Sequence, residues 1–188
     1  MKKTLPAGLD PMANPTLAST VLPVATPLVA AMTTALTAAE PPPGFAGLGR
    51  VLVDSGPLLA LFNAADHWHA VVLAWLQAQP GAQLITTWPV ATEVCALLAR
   101  RIGNPAALDF LRWAQRGGIQ LDQAQDHSLA EVLHISERFA SLPFDLADAS
   151  IAEAAGRLKI RQVLTIDADF DIYRDRSGKP LVNLLRAA

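Results

Sequence analysis

One cysteine, Cys95, stands in a chain of 188 residues. A lone thiol excludes an internal disulfide framework, and with no second cysteine beside it a thiolate metal site has no basis. Its place in an apolar helical run reads as a small buried hydrophobe. Long apolar runs are missing too: none reaches the roughly 18 uninterrupted residues of a membrane span. Charge of one sign is scarce, with a formal net charge of -2, so the average composition offers no large basic surface for nucleic acid. What is present is a globular composition, 52% hydrophobic and 17% charged, in a length that suits one domain with a real core.

The first 46 residues differ from the rest. "NPTLASTVLPVATPLVAAMTTALTAAEPPPGF" is rich in Ala, Thr and Pro and almost uncharged, and Pro15, Pro23 and Pro27 interrupt any long helix. Residues 1–46 read as a disordered leader that ends in the Pro41 to Pro43 linker, ahead of a domain over 47–188. Two other readings stay open. Lys2 and Lys3 precede a moderately apolar stretch as in a signal peptide, although Asp10 and several prolines separate them from any h-region. Met12 and Met32 could each begin the same domain. A cytoplasmic location with no membrane partner is the expectation.

From Gly49 the pattern becomes regular. "RVLVD", "GAQLITT", "GGIQLD", "IRQVLTID" and "PLVNLL" read as short apolar strands. Between them the spacing predicts amphipathic helices, with stripes of Trp68, Val71, Val72, Trp75 and Leu76, of Ala107, Phe110, Leu111 and Ala114, and of Leu129, Val132, Leu133, Ser136 and Ala140. Continuous apolar strands alternating with such helices imply an α/β fold with a mainly parallel sheet covered on both faces. Ligands of such folds sit beyond the C-terminal ends of the strands.

That edge is where the carboxylates point. The strand Val51 to Val53 delivers Asp54, which suits a ligand and equally a cap, by Asp54 or Ser55, on a helix starting at Pro57. In "QVLTIDADF" a second strand ends at Asp167, with Asp169 two residues on, and Val163, Thr165 and Asp167 share a face if the strand stays extended. In "PVATEVCALLARR", Val90, Val94, Leu97 and Leu98 form the buried stripe, and Glu93 falls about 85° from its centre, at the border of the apolar face. In "PFDLADASIAEAAGRL", Ala147, Ile151, Ala154, Ala155 and Leu158 form the stripe, Asp145 suits an N-cap, and Asp148 lies in the first turn beside Ile151 and Ala155. Glu153 with Arg157 reads as a solvated i, i+4 pair opposite that stripe.

Carboxylates that converge, partly desolvated, repel by several kcal/mol unless a cation neutralises them. An all-oxygen set selects a hard divalent ion, Mg²⁺ or Mn²⁺. Residues 51–188 hold 12 Lys and Arg against 15 Asp and Glu. Setting aside Asp54, Glu93, Asp145, Asp148, Asp167 and Asp169 leaves nine acids, so a metal-loaded domain presents a mildly positive surface suited to a phosphodiester.

In this order, strand-Asp54, "PVATEVCALL" with Glu93, "DLADASIAEAA" with Asp148 and "LTIDADF" with Asp167, residues 50–188 resemble the PIN-domain ribonucleases, especially the toxin subunit of VapBC toxin-antitoxin pairs. The resemblance implies a Rossmann-like three-layer fold and an Mg²⁺- or Mn²⁺-dependent endonuclease that hydrolyses RNA. It further implies an antitoxin partner that masks the site, and a homodimer. Asp54, Glu93, Asp148 and Asp167 match the family's four acidic positions, as catalytic and metal-binding residues. Ser55 matches the small hydroxyl residue beside the first acid, Asp169 an accessory acid, and "DHWHA" the start of the second helix, where His67 and His69 read as rim-exposed or structural, with substrate contact the lesser alternative. Arg100 and Arg101, two turns past Glu93, read either as RNA-backbone contacts or as the basic end expected of any helix. Trp68 and Trp75 read as core; Trp88 and Trp113 could stack on a base.

Two other functions compete. A haloacid-dehalogenase phosphatase also starts from a strand-terminal aspartate but wants a second two residues later, where this chain has Gly56. A non-catalytic PIN-fold module for RNA or protein binding would carry a broken acidic set, and this set is intact.

Overall fold

Each apolar segment forms a strand, and each is shorter than its sequence pattern. The computed structural model describes residues 49–174 and 178–186, and the leader expected over residues 1–46 lies outside the described residues. The strands are β1 (Arg50–Val53), β2 (Gln83–Thr87), β3 (Gln120–Asp122), β4 (Gln162–Leu164) and β5 (Val182–Asn183). The helices are α1 (Ser55–Leu61), α2 (His69–Ala78), α3 (Trp88–Arg101), α4 (Asn104–Gln115), α5 (Ser128–Arg138) and α6 (Leu146–Leu158), followed by a 3₁₀ turn, Asp169–Asp171.

The sheet order is β3-β2-β1-β4-β5, and every pairing is parallel. Successive strand residues face opposite sides, yet Val51, Leu52 and Val53 are all buried. Both faces of the sheet are therefore covered, which makes this the three-layer α/β fold that the apolar strands implied. The chain builds outward from β1 to β2 and β3 and then returns to β4 on the other side. The order reverses between β1 and β4, and the crevice beyond their C-terminal ends is the usual ligand site of such sheets.

Gly56 lets this edge close up. A Cβ on it would lie 2.5 Å from Ile166 Cγ1, so glycine lets the first turn of α1 lie against the segment leaving β4 without displacing that side chain.

Helices α2, α4, α5 and α6 differ from their sequence patterns; in α2, Val71, expected in the stripe, is exposed. The inward face of α5 is Ser128, Val132 and Ile135, whereas Leu129 and Leu133, expected in its stripe, are 78% and 58% exposed. Among the helices, α5 packs chiefly on α6, so one narrow face is enough to bury it, and that face is rotated by one residue. In α4 the inward set is Ala107, Phe110 and Trp113, while Leu111 turns outward.

In α6 the difference is the Glu153–Arg157 pair, expected in solvent. Residues 149–155 of α6 are buried without a break, because this helix packs against α5, α3, β1 and β2. Glu153 is buried and accepts hydrogen bonds from Ser128 Oγ at 2.9 Å and Arg157 Nε at 2.8 Å. Arg157 also forks onto Asp122 at the end of β3. Its guanidinium is held well above the usual arginine range by its hydrogen bonds to Glu153 and Asp122. The pair is an interior triad.

Candidate active site

Asp54 leaves β1 in an extended conformation and caps α1, its Oδ1 accepting from Ser55 N–H at 2.6 Å. The helix therefore starts two residues before Pro57. Its Oδ2 accepts from Thr165 Oγ1 at 2.9 Å. Each carboxylate oxygen has a second lone pair, so capping leaves Asp54 free to act as a ligand as well. The side chain is 3% exposed, and burial pushes its carboxyl up to about 6. The bonds from Thr165 and Ser55 pull the other way, and Glu93 and Asp167 push upward.

Asp148 occupies the first turn of α6 behind Asp145, whose Oδ1 accepts from Ala147 N–H at 2.7 Å and Asp148 N–H at 3.3 Å. Desolvation first, then the charges of Asp54, Asp145, Asp167 and Glu93, push the Asp148 carboxyl up to about 8. Glu93 and Asp167, far apart in sequence, thus act on both Asp54 and Asp148. Glu93 is half-buried in α3, at the border position its spacing predicts. The start of α3 is tied to α6: Thr87 Oγ1, which caps α3, lies 2.6 Å from Ser150 Oγ, and Ser150 donates onward to the Ala147 carbonyl.

Asp167 reaches the group by a different route from the one expected. The strand stops at Leu164, and Thr165 Oγ1 accepts from Asp167 N–H at 2.9 Å. This local bond offers the backbone an alternative to the ladder, so Asp167 sits exposed on a turn while Val163 and Thr165 are fully buried. Asp167 Oδ1 in turn accepts from Asp169 N–H at 2.8 Å.

Among the described residues, no three His, Cys, Asp or Glu side chains form a ready-made metal-binding group. The acids are near enough to add to the upward shifts of Asp54 and Asp148 and are not drawn into a common shell, as mutual repulsion dictates for uncompensated carboxylates. An oxygen-only set under such repulsion suits a hard divalent cation.

The remaining residues divide. Ser55 stands half-buried beside Asp54. Arg100 and Arg101 are exposed in the last turn of α3, about 11 Å along the axis from Glu93, and are not among the charges acting on Asp54 or Asp148. His67 is exposed, and His69 Nδ1 lies 2.8 Å from the Ala60 carbonyl, a structural contact. Trp113 is 1% exposed and cannot stack on a base; Trp88 is 49% exposed. Cys95 is only half-buried, and that burial pushes its thiol up.

Sequence reasoning missed Tyr173. It is buried against Phe139 and Phe170, with ring centroids 5.1 Å and 5.6 Å away. Burial pushes its phenol up to about 12, with Asp148 and Asp169 adding to the shift, so it borders the acidic group. Nothing in its sequence neighbourhood signals this. Thr165 carried a partial signal, as a polar residue directly after the apolar pair Val163 and Leu164.

A family model described as PIN domain matches residues 51–175. The chain belongs to the PIN-domain family. Within it, this PIN domain is 29% identical over 117 residues to ribonuclease VapC26 of Mycobacterium tuberculosis, spanning 62% of this chain and 86% of that protein. Its fold is similar to that of M. tuberculosis VapC20, a sarcin-ricin loop cleaving toxin, with a TM-score of 0.62 at 20% identity over 70% of this chain and 98% of that one. It is also similar to VapBC2 from Rickettsia felis, solved with a DNA fragment from its promoter, with a TM-score of 0.53 at 11% identity over 71% and 98% of the two chains.

Proposed function

We propose that this PIN domain is an endoribonuclease that uses Mg²⁺ or Mn²⁺ to hydrolyse RNA phosphodiester bonds, and that it is the toxin of a toxin–antitoxin pair. The observation that carries this reading is the shared field of Asp54, Glu93, Asp148 and Asp167 at the point where the sheet order reverses. Its likeness to a VapC ribonuclease supplies the substrate class. Asp54, Glu93, Asp148 and Asp167 would hold the cation. When bound, such an ion lowers the pKa of a water and stabilises charge on the scissile phosphate.

The chain's own residues prepare that chemistry. Thr165 and Ser55 N–H hold the two oxygens of the Asp54 carboxylate and leave each a free lone pair. Asp145 fixes the first turn of α6 and with it Asp148. Asp169, through its bond to Asp167, steadies the exposed acid. A carboxylate not engaged by the cation can take the proton from the attacking water.

An antitoxin covering this edge and a homodimer complete the proposal. Leu129, Leu133, Phe144 and Leu146, all exposed around α5 and the start of α6, support a face covered by protein.

The test is cleavage of a mixed cellular RNA pool by the full chain with Mn²⁺, with chelator, and with Asp148→Asn. Cleavage that needs the ion and is lost in the variant supports the proposal. Mn²⁺ binding without cleavage of any RNA would favour the non-catalytic module, and no metal binding would sink the enzymatic reading.

A further inference from the structure

Between α5 and α6 lies a groove of about 670 Å³, lined by small residues of α6, Ala152, Ala155 and Gly156, and by Arg138, Arg157, Lys159, Arg161 and Arg174. Two carboxylates, Glu131 and Glu153, share the lining. Glu153 is engaged by Arg157, as is Asp122 outside the groove. Even with Asp122 counted, the cations exceed the acids by two. A chain whose net charge is -2 thus concentrates positive charge in one concave place.

Three of these arginines are oriented by groups that leave their charge intact. Arg161 Nε donates to the Pro180 carbonyl at 3.0 Å. Arg174 NH1 donates to the carbonyls of Asp171, Ile172 and Tyr173 at 2.6, 2.8 and 2.9 Å. The Arg138 guanidinium lies 5.2 Å from the centre of the Phe139 ring. A carbonyl or a ring face positions a guanidinium without neutralising it, and the remaining N–H fork matches a phosphate.

A line of packed rings leads from the groove towards the acidic group. Arg138 rests on Phe139, Phe139 packs edge-on against Tyr173, and Tyr173 feels the charge of Asp148. Asp148 and Arg157 lie nine residues apart on one helix, about 13 Å along its axis. About four stacked nucleotides of a strand cover that length.

We propose that the α5–α6 groove is a phosphate-binding site that holds the sugar–phosphate backbone of the RNA at least about four nucleotides from the bond at the acidic centre. This rests on the ribonuclease reading, which supplies the polyanion. The groove lengthens the bound segment and selects substrates that extend past α6.

The experiment measures anisotropy of a labelled 16-nucleotide single-stranded RNA on the full chain, in chelator so that nothing is cleaved, from 50 to 200 mM salt. Arg138→Ala with Lys159→Ala removes two exposed side chains; Arg138→Lys with Lys159→Arg keeps both charges. The neutral variant is expected to bind about tenfold more weakly, with the slope of log affinity against log salt reduced by about 1.4, two contacts at about 0.7 each. The charge-preserving variant should recover most of both. Unchanged affinity and slope in a folded neutral variant would overturn the proposal, as would a wild-type chain that binds no RNA at 50 mM salt. Weaker binding by the neutral variant, from a wild type that cleaves no RNA with Mn²⁺, would fault the ribonuclease reading and still support the groove.

Discussion

Thr165 holds Asp54 and Asp167 with one hydroxyl: Oγ1 donates to Asp54 Oδ2 and accepts from Asp167 N–H, each at 2.9 Å. It thereby opposes the upward shift that burial imposes on Asp54 and shapes the segment that delivers the exposed Asp167.

Thr165→Val keeps the shape and removes both bonds. It should destabilise the fold by about 1–3 kcal/mol, the cost of leaving buried polar groups unpaired. With the bond that lowers its pKa gone, the Asp54 carboxyl moves further up. Cleavage should then fall more at pH 6.5 than at pH 8, and the acidic limb of the pH–rate profile should shift upward. An unmoved limb would separate Asp54 from the rate-limiting ionisation.

The metal-free protein should lose stability as pH rises. Folding raises Asp54 from 3.8 to about 6 and Asp148 to about 8, so between about pH 4 and pH 8 the folded chain holds protons that the unfolded chain has released. That stability is fully present below about pH 4 and is lost as pH passes the folded values. Asp54 contributes on the order of 3 kcal/mol across this window, and solvent screening leaves Asp148 less than its shift alone suggests. Thermal melts in chelator should fall from pH 5 to pH 8.5, Mn²⁺ should raise the melting temperature more at pH 8.5, and Asp148→Asn should flatten the loss above pH 6. A metal-free melting temperature that climbs across this range would contradict the repulsion.

Arg157→Met should be among the most damaging substitutions outside the site. It leaves Glu153 and Asp122 buried with no cation between them, and breaking such a group costs about 3–5 kcal/mol. Urea unfolding measures it. The triple change that also makes Glu153 and Asp122 apolar should recover much of the loss; equal damage in both would mean that packing dominates.

Gly56→Ala tests the closure of the sheet edge. The added methyl group would overlap Ile166, so a cost of about 1–3 kcal/mol is expected from overpacking. The combination with Ile166→Val should regain part of it. If Gly56→Ala melts like the wild type, the approach of α1 to the segment after β4 is looser than described.

The identity and order of the elements were legible in the chain because a buried parallel sheet needs unbroken apolar strands, and helices that cover it need a stripe. Asp54, Glu93, Asp145 and Asp148 were legible for a related reason: a strand end, a stripe border and a helix first turn are positions that local spacing alone defines. Residue spacing says which face of a helix is apolar, but not how many neighbours that helix will have. Tertiary packing decided that α6 is buried all round, which turned Glu153 and Arg157 from a solvated pair into an interior triad with Asp122. It also rotated α5 so that Leu129 and Leu133 face outward. A side-chain bond from Thr165 ended β4 early and moved Asp167 onto a turn. Tyr173 and the arginines of the α5–α6 groove come together only through contacts between segments distant in the chain, and the field that raises Asp54 and Asp148 exists only once four carboxylates from four elements share one edge of the sheet.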